Sequence, residues 1–164
     1  MRGLKDKVAV VTGAAGGIGQ AICRRLVEEG CAVGAFDKDA AKLAGFCKTL
    51  QAGGARVHAG AVDITDHAAV AAAVQATEAA LGPIDILINN AGWDRLRNFI
   101  DTDPAFWDTI IGINLKGPLN MHHAVLPGMA RRRSGKVVTI ASDAGRVGSS
   151  GEAVYAACKG GMIS

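Results

Sequence analysis

The chain has 164 residues, 49% of them hydrophobic and 20% charged, which supplies one packed core and excludes an intrinsically disordered chain. Eighteen Lys plus Arg against fifteen Asp plus Glu leave a net charge of +3, too small and scattered to point to nucleic acid as a partner. No window reaches the ~18 apolar residues of a membrane span, and the apolar run at 8–11 is too short for a signal-peptide core.

In chain order, residues 8–11 form a continuous apolar run bounded by charge and glycine, the pattern of a fully buried strand. Residues 18–29 place Ile18, Ile22, Leu26 and Val27 on one helical face, and Gly30 stops the helix. A second strand at 31–36 ends at Asp37, a helix at 39–51 stops at Gly53-Gly54, and a third strand at 57–62 ends at Asp63. Thr65-Asp66 is set to cap an Ala-rich helix that ends at Gly82-Pro83. A fourth strand follows at 84–88. Pro104 marks the first turn of a long, interrupted helical region reaching about residue 132. A fifth strand covers 136–141, and a last helix starts at Ala153. Strand–helix alternation with apolar, non-alternating strands predicts an α/β fold, a single doubly wound domain over 1–164 with helices on both faces of a parallel sheet. The four cysteines, Cys23, Cys31, Cys47 and Cys158, form no C-x-x-C pair and read as reduced buried thiols of a cytoplasmic protein.

The first strand runs into Thr12-Gly13-Ala14-Ala15-Gly16-Gly17-Ile18-Gly19 and then a helix. Small residues there let the backbone approach a pyrophosphate, and the helix N-terminus supplies free N–H groups and positive partial charge. Asp37 closes the second strand eighteen residues after Gly19, where a carboxylate accepts from ribose hydroxyls and repels a 2′-phosphate. NAD is therefore expected over NADP, with Lys38 partly offsetting that repulsion. Tyr155, the only tyrosine, and Lys159 lie four residues apart, on one helical face. A phenol alone is a poor base at neutrality, and an ammonium one turn away stabilises the phenolate. Ser142, the Asn89-Asn90-Ala91-Gly92 run and Asn114 complete a set of polar groups gathered largely at strand ends, the ligand crevice of a doubly wound sheet.

These motifs resemble the short-chain dehydrogenase/reductase family, from Lys7 onward. The resemblance implies hydride transfer between a nicotinamide cofactor and an alcohol or carbonyl substrate. Tyr155 would exchange the proton, Ser142 would bind the substrate oxygen, Lys159 would hold the nicotinamide ribose, and Asn114 would support a water relay. Gly13, Gly17, Ile18, Gly19, Asp37, Asp63, Ile64, Asn90, Ala91 and Gly92 would bind the cofactor with Tyr155 and Lys159. Three finer stretches, at 92–94, 121–129 and 148–155, are similar to ring hydroxyacyl-CoA dehydrogenases, so a CoA thioester is an expected substrate. The second reading within the family is a 3-oxoacyl-carrier-protein reductase, which generally uses NADPH; a non-catalytic dinucleotide-binding module is the third. Trp93 reads as a pocket floor or a packing residue, Arg146 as an anion contact or an ordinary loop residue. Arg131-Arg132-Arg133 reads as a basic helix end or as an attractor of a coenzyme A phosphate or an acidic carrier, and His122 and His123 point about 100° apart, with no metal site indicated. The family fold continues past Ser164, so the chain is expected to be C-terminally truncated relative to it, and a homo-oligomer is expected at full length.

Overall fold

A computed structural model describes residues 3–164. Five parallel strands, β1 (Val8–Thr12), β2 (Ala32–Asp37), β3 (Val57–Ala61), β4 (Ile86–Asn89) and β5 (Lys136–Thr139), form one sheet in the order β3-β2-β1-β4-β5. Helices α1 (Gly17–Glu28), α2 (Ala40–Ala52) and α3 (His67–Leu81) follow the first three strands. Beyond β4 come a 3₁₀ turn (Phe99–Asp101), α4 (Pro104–Ile111), a π-helical segment (Gly112–Lys116) and α5 (Gly117–Arg132). A short α6 (Ala144–Val147) and α7 (Ala153–Ile163) complete the fold.

The period of two along β1 sorts its side chains between two cores. Ala9 and Val11 pack with Cys23, Leu26, Leu43 and Phe46 of α1 and α2. Val8 and Val10 pack with Val70, Val74, Met121 and Val125 of α3 and α5. The α/β doubly wound architecture is thus present, with helices on both faces.

Helix starts follow local chemistry. Asp39, Asp66 and Asp103 each accept a backbone N–H three residues on, so Asp66 rather than Thr65 caps α3. The interruption in the long helical region is the π-helical segment. Pro118 has no N–H to give the Asn114 carbonyl, so the regular ladder fails there. The Asn114 Nδ2 donates at 3.0 Å to the Ile110 carbonyl, which the Asn114 backbone N–H would serve in an α-helix.

Three expected strands are shorter than the apolar runs suggest, β3 by one residue at Val62 and β4 and β5 at their ends. Ile84 is buried but precedes β4, because the Asp85 carboxylate accepts from the Val8 N–H at 3.0 Å and from Lys7 Nζ at 3.2 Å, and so anchors the strand start. At the other end β5 stops at Thr139, and Ile140 adds one more bond to the Asn89 carbonyl at 2.9 Å.

Candidate active site

The carboxyl ends of β1, β2, β3 and β4 open onto one cavity of about 360 Å³. Gly13, Gly17, Ile18, Gly19, Asp37, Asp63, Ile64, Asn90, Ala91 and Gly92 all line it, together with Phe36, Lys38, Val62 and Trp93. Ten of the residues expected at a dinucleotide site are therefore brought together.

The turn before α1 is shaped by contact. Gly13 sits at φ +66°, and a Cβ there would lie 3.0 Å from the Ala91 Cα. A Cβ on Gly19 would run into the Gly13 carbonyl oxygen. Gly17 differs: a Cβ on it would meet nothing within 4 Å, so no protein atom demands a glycine there. Gly16 caps α1 without a side-chain bond, which leaves the first N–H groups of the helix directed at the cavity. A cradle with room at Gly17, beside bare helix N–H groups, fits an anionic diphosphate.

Thr12 holds the floor. Its hydroxyl accepts from the Asn90 and Ala91 N–H groups, both at 3.0 Å, while Asn90 Nδ2 donates to the Thr12 carbonyl at 2.9 Å. Asp37, partly buried at the end of β2, has a structural duty. One carboxylate oxygen accepts from the Ala15 N–H at 2.9 Å and the other from the Asp39 N–H at 3.0 Å, so the acid ties β2 to the glycine turn. Asp63 accepts from the Thr65 N–H at 2.9 Å and the Thr65 hydroxyl at 2.8 Å. The backbone bond from Thr65 holds its carboxyl below the ordinary range, helped by the Thr65 hydroxyl and the Lys38 charge and opposed by burial. Ile64 is fixed from behind, since Asn120 Nδ2 donates to its carbonyl at 2.9 Å. Neither Thr12 nor Asn120 had been assigned a role from sequence. Thr12 opens the glycine run and was within reach of that reasoning, whereas Asn120 lies in a helix whose partner only the fold reveals.

On the other side, Lys159 Nζ lies 5.6 Å from the Tyr155 ring centroid, so the pair shares one side of α7. Lys159 is only 5% exposed, and its ammonium donates to the Ile140 carbonyl at 2.8 Å. Burial draws Lys159 below its ordinary range, against the opposing influence of Cys158. Asn114 is fully buried. Its Nδ2 donates to the Trp93 carbonyl at 2.7 Å, and its Oδ1 accepts from the Trp93 N–H at 3.2 Å. A Cβ on Gly92 would lie 3.0 Å from Asn114 Oδ1 and 3.6 Å from Lys159 Nζ, so these two groups flank one point at the end of the large cavity.

Tyr155 lines a separate, narrow cavity with Asp94, Phe106 and Glu152. Ser142 lies beyond the end of β5, partly buried, with Oγ accepting from the Ala144 N–H at 3.2 Å, and it lines neither of these two cavities. Trp93 is 43% exposed, edge-on to Phe106. Arg132 donates to the Ile84 carbonyl at 2.6 Å, which gives the basic helix end a packing role. His122 contacts Asn89 and His123 contacts His67, and among the described residues no three His, Cys, Asp or Glu side chains converge as metal ligands.

The profile of the family described as short chain dehydrogenase matches residues 7–164. The chain belongs to the short-chain dehydrogenase family. Nodulation protein G of Azospirillum brasilense is 39% identical over 98% of this chain and 65% of its own length. The (2S)-[(R)-hydroxy(phenyl)methyl]succinyl-CoA dehydrogenase subunit BbsD of Thauera aromatica is 38% identical over 98% of this chain and 64% of its own. A short-chain dehydrogenase/reductase from Burkholderia phymatum, crystallised with NAD, superposes with a TM-score of 0.95 at 29% identity, covering 99% of this chain and 58% of that one. This short-chain dehydrogenase chain thus spans somewhat under two thirds of the length of the relatives it matches, and its fold is that of an oxidoreductase family with NAD-bound members.

Proposed function

We propose that the protein is an NAD-dependent oxidoreductase acting on a secondary alcohol or ketone, with a cyclic hydroxyacyl-CoA of the 2-hydroxycyclohexanecarboxyl type as substrate. The observation that carries the reading is the junction at Gly92, where the buried Lys159 and Asn114 meet the end of the groove one turn from Tyr155. NAD, when bound, supplies the hydride acceptor, or in the reverse direction the donor.

The N–H groups at the start of α1 hold the diphosphate, with Gly17 leaving room for it. Asp37 retains lone pairs toward the cavity for the ribose hydroxyls, and Phe36, Val62 and Ile64 give the adenine an apolar seat. Asn90, Ala91 and Gly92 line the path to Lys159. Tyr155 Oη takes the alcohol proton during oxidation and returns it during reduction. Lys159 supports the charge that develops on the phenol, and Asn114 Oδ1 offers an acceptor for a water that passes the proton on. Because the Ser142 hydroxyl accepts from Ala144, its own O–H is free to donate to the substrate oxygen.

Two supports favour the substrate class: Asp94 of the 92–94 stretch and Gly151 of the 148–155 stretch line the cavity beside Tyr155, and the BbsD relative is named for a CoA thioester. A 3-oxoacyl-carrier-protein reductase using NADPH is the second reading, favoured by Lys38 in the groove wall and opposed by Asp37. A homo-oligomer belongs to the proposal, supported by exposed Leu119 and Leu126 on α5 and Ile163 on α7. So does a cytoplasmic location, supported by the four free, buried thiols. The test is NADH formation from 2-hydroxycyclohexanecarboxyl-CoA by the native protein and by Tyr155→Phe. Equal rates in the two proteins defeat the mechanism, and NADH binding without turnover reduces the protein to a dinucleotide-binding module.

A further inference from the structure

The narrow cavity at Tyr155 lies where the loop after β4 meets the first turn of α7. The two segments are zipped together by the Arg97 N–H, which donates to the Gly151 carbonyl at 3.0 Å, and by Leu96, which packs on Gly151. Two carboxyls face each other across this junction. Asp94 comes from the loop, Glu152 is the N-cap residue of α7, and both line the cavity with Tyr155.

Their bonding is incomplete. Asp94 Oδ2 is buried without a hydrogen-bond partner, and the Glu152 side chain does not cap its own helix. Ionised carboxylates only accept, so two of them in contact repel, and neither can satisfy the other. One shared proton removes both difficulties at once. Burial, the first cause, and contact with Glu152 push the Asp94 carboxyl above its ordinary range, against the pull of the Arg95 N–H.

Among the described residues neither carboxyl forms an ion pair, although Arg97 lines the same cavity. The Arg97 guanidinium sits 5.4 Å over the Phe106 ring, and Lys159 is occupied by the Ile140 carbonyl. The remaining neighbours are Tyr155 in the cavity wall and the buried Cys158 thiol, pushed up by its own burial and by Asp94, with Lys159 opposing.

We infer that Asp94 and Glu152 share one proton across this junction, and that the resulting clasp positions Tyr155 by locking the loop after β4 to the start of α7. The kinetic part rests on the function proposed above; the shared proton does not.

The sign of the pH effect follows from the direction of the Asp94 shift. A carboxyl raised in the folded state stabilises fully below its ordinary value of 3.8, and that stabilisation is lost as pH rises through the raised value. Asp94→Asn and Glu152→Gln each install a permanent N–H donor. As the pH rises above 3.8 and through the raised value, the melting temperature of the native protein should therefore fall relative to either amide variant. In turnover, Asp94→Ala should lower kcat roughly tenfold with an unchanged KM for NAD, and Asp94→Asn should restore most of that loss while flattening the alkaline limb of the pH profile. Carboxyl-carbon NMR of the full protein reads the proton directly. Ordinary titration of Asp94, or melting curves of both amide variants that parallel the native protein at every pH, would overturn the clasp. A kcat for Asp94→Ala equal to the native value would overturn its positioning role. Raised Asp94 titration in a protein that turns over no alcohol would uphold the shared proton and sink the function instead.

Discussion

The two sides of the sheet are built by different means. β1 is buried throughout and β2 as far as Phe36, and the groove at their ends takes its form from close approach: Gly13 against Ala91, Gly19 against the Gly13 carbonyl, Thr12 bridging two strand ends. Around β5 the strand is largely exposed, with Val138 at 47%. There the side chains proposed for the chemistry are held by polar bonds to carbonyls, Lys159 to Ile140 and Asn114 to Trp93 and Ile110. A groove made by packing fails when atoms are added, whereas a reactive centre made by hydrogen bonds fails when atoms are removed.

The largest effect should come from the second kind. Removing one oxygen in Tyr155→Phe should cut turnover by about 10²–10⁴-fold while NADH titration by fluorescence shows unchanged affinity. Next is Gly19→Val, whose side chain has no room. It should cost about 3 kcal/mol, read as a melting temperature lower by roughly 6–12 °C, and abolish the cofactor-induced shift. Asn114→Ala strips donors from the Trp93 and Ile110 carbonyls and should destabilise by about 1–3 kcal/mol in urea titrations. Gly17→Ala sharpens the contrast: its melting temperature should stay within about 2 °C of the native protein while calorimetry shows NAD binding weakened about tenfold. A Gly17→Ala protein with normal affinity would mean that the diphosphate does not lie against α1.

The smallest effect concerns acid. Asp63 is held below its ordinary range by Thr65, so its contribution is present above the ordinary value of 3.8 and lost as pH falls through the lowered one. Thr65→Val should reduce stability slightly at neutral pH, with the two melting curves converging as the pH falls through the lowered Asp63 value.

The same contrast governs what could be read from residues alone. Groove positions sit at strand ends, and strand ends are marked by apolar runs that stop at glycine or acid, so Gly13, Asp37, Asp63 and Asn90 were legible with the sheet itself. The pairing of Tyr155 with Lys159 was legible from helical spacing. The double duty of Asp37 was not, because its bond to the Ala15 N–H joins residues twenty-two apart through the packing of β2 on β1. Nor was the partnership of Asp94 with Glu152, which depends on a loop conformation no periodicity encodes. Ser142 was placed at the end of a strand; β5 instead ends at Thr139, and Ser142 prepares the unforeseen helix α6. That helix packs on α7 because Gly145 meets the Lys159–Gly160 backbone without a side chain between them.

The wide turn at Gly112–Lys116 also sets the rotational phase of everything after it. One residue more or less in a helix swings the following side chains by about 100°. Excising Ile113 to restore a uniform spiral would turn Met121 and Val125 away from the sheet and carry Asn120 off the back of Ile64. A single surplus residue is thus the gearing that lets one continuous rod present Asn114 to Trp93 at one end of the crevice and Asn120 to Ile64 at the other.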